Sequence, residues 1–263
     1  MSAPHVPPLS GFPASALLEV RGVSKRFGGL LAVNEVSFAL NAGEILSLIG
    51  PNGAGKTTFF NLVNGVYKPD HGQILFAGED ITGWPPSKVA RRGLARTHQI
   101  VKPLNGLSVI ENVTVGACFG TQDLPLKQAR EVAREVLEQT GLASRADTPA
   151  RELTIGGKKR LELARALAAK PKAILLDEVL AGLNPTEVVA MIEFVRAVRG
   201  RGISVLMIEH LMQAVMNLSD RIVVLNFGQK IAEGAPAEVA RNPQVVEAYL
   251  GDPNIAEKLM EGN

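Results

Sequence analysis

Apolar positions along the chain follow two rhythms. Residues 17–20 are largely apolar, and Val33, Val36, Phe38 and Leu40 nearly alternate with polar neighbours. Both patterns predict strands on a half-buried surface. Residues 44–49 form a short aliphatic run that stops at Gly50, as a strand buried on both faces does before a turn. Helical character follows over 56–64. The stretch from Lys68 to Gly72 carries turn chemistry, and residues 73–76 predict another strand. Ser87 is placed to cap a helix running through Arg92.

Beyond this point the rhythm becomes helical, from about 104 to 165. Residues 126–140 space Val132, Val136 and Leu137 among charges, an amphipathic helix closed by Gly141. Aliphatic strands return at 173–176 and 203–208, with a helix over 186–199 between them. Residues 222–225 and 230–232 predict a hairpin, and 236–250 a terminal helix.

A chain of 263 residues suits one large domain or two intimate lobes. Aromatics are only 5% of residues, so the core must come from Ala, Val, Leu and Ile, as in a buried α/β sheet. A net charge of +2, with no long basic run, disfavours nucleic acid as the main partner. The single cysteine, Cys118, excludes an internal disulfide and reads as a small buried hydrophobe. No stretch approaches the ~20 apolar residues of a spanning helix. The Pro-, Ser- and Ala-rich start lacks the basic and apolar segments of a signal peptide. The expectation is a tail over 1–16, a domain over 17–251 and a second tail over 252–263. Any membrane role would come through partners.

The strongest chemical signal is Gly50, Pro51, Asn52, Gly53, Ala54, Gly55, Lys56, Thr57 and Thr58, which fits G-x-x-x-x-G-K-[ST] between a buried strand and a helix. The glycines let backbone N–H groups converge into an anion nest, and the following helix adds its positive end. Lys56 can then reach β- and γ-phosphates, and the Thr57 hydroxyl can ligate Mg²⁺. ATP with Mg²⁺ is the implied ligand. A second cluster closes the strand at 173–176. Asp177 is placed to hold Mg²⁺ and Glu178 to polarise a water, although apolar strands often end in acids of no chemical consequence.

Residues between these clusters resemble the ATP-binding subunits of ABC transporters. Leu153, Thr154, Ile155, Gly156 and Gly157, followed by Lys158 through Leu167, are similar to that family's signature loop and helix. Gln99 matches the glutamine that senses Mg²⁺ and meets the transmembrane partner. Ala181 through Asn184 resembles the loop that communicates across the dimer, His210 the switch histidine, and Phe27 the aromatic that meets adenine. Phe27 to Leu30, Ala181 to Pro185, Ser219 to Leu225 and Val246 to Gly251 resemble the branched-chain amino-acid importer ATPases in particular. Two departures stand out: Ile155 and Gly157 replace the usual glycine and glutamine of the signature, and Leu211 follows the histidine where Asp is common.

The resemblance implies an α/β fold, a P-loop NTPase core with a mostly helical lobe inserted at about 100–168 and an antiparallel β edge. It implies ATP hydrolysis driving import through two multi-spanning permease subunits, supplied by a solute-binding protein. The chain would lie peripherally on the cytoplasmic face of the inner membrane. A second ATPase subunit, a related chain or a copy, would place Thr154 and the amides of Gly156 and Gly157 against ATP held in the facing cradle. Glu178 would be the base or water-orienter, with His210 on the γ-phosphate and Lys56 offsetting charge. An ABC ATPase acting as a soluble assembly scaffold would share these residues. Leu107, Val109, Ile110 and Val113 read either as a groove for a permease helix or as ordinary core.

Overall fold

The computed structural model describes residues 16–97 and 102–249. Gln99, and the expected tails apart from Ala16, lie outside the described residues. Strands β1 (Ala16–Phe27), β2 (Leu30–Asn41), β4 (His71–Phe76) and β5 (Glu79–Asp80) form an antiparallel sheet in the order β2-β1-β4-β5. A second sheet joins β3 (Ile45–Ile49), β6 (Leu94–Arg96), β7 (Ala173–Asp177), β8 (Ser204–Ile208), β9 (Arg221–Asn226) and β10 (Gln229–Gly234) in the order β10-β9-β3-β8-β7-β6. Its pairings are parallel except for the β9–β10 hairpin. Antiparallel structure is therefore more than an edge, because it also forms a whole sheet.

The continuous aliphatic runs have a direct cause. Successive side chains of a strand point to opposite faces. Leu46, Leu48, Leu175, Leu206, Ile208, Val223 and Leu225 pack with the antiparallel sheet and with helix α1 (Lys56–Val63). Ile45, Ile49, Ile174, Leu176, Val205, Met207, Ile222 and Val224 pack on the other side, with the helices over Val109–Cys118, Leu126–Gln139, Ile155–Ala168 and Pro185–Gly200 among others. Both faces are buried, so no polar alternation survives.

Helix α2 (Pro86–Arg92) is capped from Pro85, not Ser87. Proline at the first helical position needs no amide partner, which moves the start ahead of the serine. Helix α3 (Val109–Cys118) begins at a capping box between Ser108 and Glu111, and α4 (Leu126–Gln139) packs beside it. Helix α5 (Ile155–Ala168) begins at Thr154, and α6 (Pro185–Gly200) at an Asn184–Glu187 capping box. The sequence reading missed α7 (Met212–Leu218), whose single apolar face is short. The single terminal helix is instead α8 (Pro236–Ala240) and α9 (Pro243–Tyr249), since Pro243 cannot continue the first.

Val109, Ile110 and Val113 are buried in the core shared by α3, α4 and α5, with Leu107 only partly covered. Of the two readings left open for this segment, the structure selects core over groove. The apolar stripe of α3 is the face turned toward the helices packed on it.

Candidate active site

The phosphate loop leaves β3 at Gly50 and enters α1 at Lys56. Its turns are set by glycine. Gly50 has φ +150°, and a Cβ there would collide with the Leu225 carbonyl oxygen. Gly55 has φ +97°, and a Cβ there would strike the Ala32 carbonyl oxygen. Neither position admits a side chain, which explains the spacing at residue level.

The Lys56 ammonium lies inside this loop, donating to the carbonyls of Gly50 at 2.6 Å and Pro51 at 3.0 Å. Burial pushes its pKa below the usual lysine value, while the carboxylates of Glu178 and Asp177 act in the opposite direction. A cavity of about 480 Å³ opens over the loop, and its lining includes Lys56, Thr57, Thr58, Glu178 and His210. Glu178 follows the end of β7 and His210 follows the end of β8, adjacent parallel strands, so both reach the cavity from one edge of the sheet. His210 Nε2 and Glu178 Oε1 share a hydrogen bond of 2.8 Å.

Glu178 adopts φ +50°, a conformation costly for a residue with a Cβ. Its amide donates to the Ile208 carbonyl at 2.9 Å, and its carbonyl accepts from the Lys159 ammonium at 2.9 Å. Lys159 also reaches the Ala181 carbonyl at 2.5 Å. Glu209, 3% exposed, accepts from the Leu180 amide at 2.9 Å. Burial pushes its carboxyl up to about 7, against the pull of the Leu180 amide and of Lys159. A model of the ABC transporter family matches residues 33–181, a span that holds the phosphate loop, the signature helix and the Asp177–Glu178 pair.

The chain belongs to the ABC transporter family. As an ABC ATPase it binds and hydrolyses ATP, and this activity is coupled to transport through a transmembrane permease. A model described as a branched-chain amino acid ATP-binding cassette transporter matches residues 229–253. The chain is 43% identical over 250 residues to the high-affinity branched-chain amino acid transport ATP-binding protein LivG of Salmonella typhimurium, covering 90% of this chain and 98% of that one. It is 36% identical over 237 residues to the lipopolysaccharide export system ATP-binding protein LptB of Haemophilus influenzae, covering 90% and 98%. A solved nucleotide-free ATP-binding cassette from an ABC transporter superposes with a TM-score of 0.81 at 33% identity, covering 90% of this chain and 100% of that one. These relatives are transport proteins, which sets aside the scaffold reading. No described helix is long and apolar enough to cross a membrane.

Within this ABC ATPase, the sites expected from sequence do not all meet at one place. Residues 52–58 of the phosphate loop, Glu178 and His210 line one cavity, while Gly50 and Pro51 lie outside its lining. Thr154, Gly156 and Gly157 do not line it. Thr154 is exposed and its hydroxyl accepts from the Gly157 amide at 3.1 Å, so that amide already has a partner. Gly156 is buried, and a Cβ there would strike the Glu187 carboxylate. Ile155 is 62% exposed at the tip of this helix.

Phe27 also stands outside the cavity lining. Its 41%-exposed ring meets the edge of Tyr67 at 5.1 Å and lies under the Lys25 ammonium, while Leu30, Leu31 and Ala32 take the cavity wall. Asp177 is buried outside the cavity lining and ion-paired to Arg96 at 2.9 Å. Arg96, Lys159 and Glu209 escaped the sequence reading. The available signal was a charged residue set inside or beside an otherwise apolar run.

Proposed function

We propose that this ABC ATPase drives import of branched-chain or closely related amino acids. The observation that carries this reading is the match of residues 229–253 to the branched-chain family model, joined to 43% identity with LivG over nearly its whole length. The lower identity to the lipopolysaccharide-export relative supports import over export. One ABC cassette spans 17–251, with residues 100–168 as the lobe that meets the permease, and the protein sits peripherally on the cytoplasmic face of the inner membrane. Its partners are two multi-spanning permease subunits, a second ATPase subunit that is a related chain, and, indirectly, a solute-binding protein.

Two ATPase subunits face head to tail, so that Thr154 and the helix it caps meet ATP held by the opposite phosphate loop. The exposure of Thr154 and Ile155, away from their own cavity, favours this arrangement. Contacts made only when both subunits hold the γ-phosphate give ATP its preference for the closed state. Glu178 orients and deprotonates the attacking water. His210 holds the γ-phosphate and that water, and Lys56 balances charge on the phosphoryl group.

Thr57 and Asp177 offer the hard oxygens that Mg²⁺ prefers. Among the described residues no group of three or more His, Cys, Asp or Glu is arranged to hold a metal. That suits a cation held mainly by phosphates and water, with Gln99 as a further oxygen. When bound, Mg²⁺ would neutralise charge between the β- and γ-phosphates.

The test is to purify tagged Glu178→Gln from detergent-solubilised membranes in ATP and Mg²⁺, and to identify what comes with it by mass spectrometry. Two multi-spanning proteins and a second ATPase, with uptake of labelled leucine lost in a deletion strain, would support the reading. Recovery of only non-spanning partners, or unchanged uptake of leucine, isoleucine, valine and related small amino acids alike, would overturn it.

A further inference from the structure

Arg96 closes β6 with its side chain only 6% exposed. Nη2 donates to Asp177 Oδ2 at 2.9 Å on β7, and Nη1 donates to Asn61 Oδ1 at 2.7 Å on α1. The Phe60 ring lies 5.6 Å from the guanidinium carbon, and Nε is buried with no hydrogen-bond partner among the described residues. One guanidinium thus ties the strand that bears Asp177 to the helix that begins at Lys56. A charge so thoroughly removed from water persists only with a close counter-charge. Here that counter-charge is the carboxylate just described as a holder of Mg²⁺.

We propose that Arg96 is a positioning residue that acts as an internal counter-cation to Asp177, reducing how much ATP affinity depends on Mg²⁺. The inference rests on Asp177 as a metal holder. With Arg96 in place, the Asp177 carboxylate is neutralised and held in the absence of a metal. A divalent cation arriving with ATP must share that carboxylate with a fixed positive charge nearby. Part of the attraction that Asp177 would offer it is cancelled. Removing the guanidinium leaves an uncompensated carboxylate, which weakens binding of metal-free ATP and strengthens binding of the magnesium complex. Both changes move the affinity ratio in one direction.

The readout is the ratio of ATP affinity in excess Mg²⁺ to that in EDTA, by isothermal titration calorimetry on the full chain. Arg96→Gln keeps hydrogen bonding without charge and is expected to raise the ratio by on the order of tenfold. Arg96→Met is a second neutral variant, and Arg96→Lys, which keeps the charge, should hold the ratio near wild type. Thermal melts establish which variants fold, and either neutral variant that folds decides the question. A ratio equal to wild type in a folded neutral variant overturns the proposal. Asp177→Asn separates the two layers. If it lowers the Mg²⁺ preference while Arg96→Gln changes nothing, only the role of Arg96 falls. If Asp177→Asn leaves that preference intact, Asp177 does not hold the metal, and both readings fall.

Discussion

His210 Nε2 and Glu178 Oε1 stand 2.8 Å apart, joining the ends of two adjacent parallel strands across the mouth of the phosphate cavity. The histidine side chain is 39% exposed and that of the glutamate 17%, so the histidine is the more open of the two. The backbone beneath the pair is held at two points. Glu178 is locked at φ +50° by hydrogen bonds at both its amide and its carbonyl. Such preorganisation lets a base act without rearrangement at the moment of reaction.

Glu178→Gln should retain ATP binding and lose hydrolysis by roughly 10²–10⁴-fold, the usual contribution of a general base. His210→Ala should fall within the same range. Single-turnover hydrolysis beside nucleotide titration checks both. A wild-type rate in either variant removes that residue from the chemistry.

Lys159→Met leaves the carbonyls of Glu178 and Ala181 without their ammonium donor, and leaves buried Glu209 without the nearby charge that favours its ionised form. The stability loss should be about 1–3 kcal/mol, measured by urea unfolding. Turnover should drop with little change in ATP affinity, because the phosphate loop is untouched. A variant as stable and as active as wild type would show that the two carbonyl bonds contribute nothing.

Glu209 makes stability depend on pH with a definite sign. Its folded pKa, about 7, lies above the ordinary value of 4.5. The folded state therefore holds this proton to higher pH than the unfolded chain does. The resulting stabilisation is full below 4.5 and is lost as pH rises through about 7. Glu209→Gln can still accept from the Leu180 amide but cannot titrate. Comparing denaturation midpoints from pH 4 to pH 8, the variant should gain on wild type as pH rises. A constant difference would mean that Glu209 has the same pKa folded and unfolded.

Ile110→Asp and Val113→Asp place a carboxylate in the core between α3, α4 and α5. Burial of an unpaired charge should cost more than about 3 kcal/mol, with loss of the cooperative melt. Both variants should lose ATP binding along with the fold. A folded variant that binds ATP but fails to couple would restore the groove reading that the buried positions argue against.

The phosphate loop was readable from residue order because its parts are contiguous. Strand, glycines, lysine and threonine act through a backbone that the sequence lists in order, and Gly50 and Gly55 occupy positions where no side chain fits. Aliphatic runs revealed the doubly buried strands for a similar local reason, since every residue from Ile45 to Ile49 is buried and all but Ser47 join a hydrophobic core. Pairings were hidden. Arg96 meets Asp177 across 81 positions, and Lys159 meets the Glu178 carbonyl across 19. A charge within an apolar run announces that it needs a partner but not which one, because the partner is set by strand order in the sheet. The same limit applied to α3, whose apolar stripe predicted a buried face without naming what would cover it. Periodicity is a property of one segment, whereas burial and ion pairing belong to two, and only the folded chain brings the second within reach.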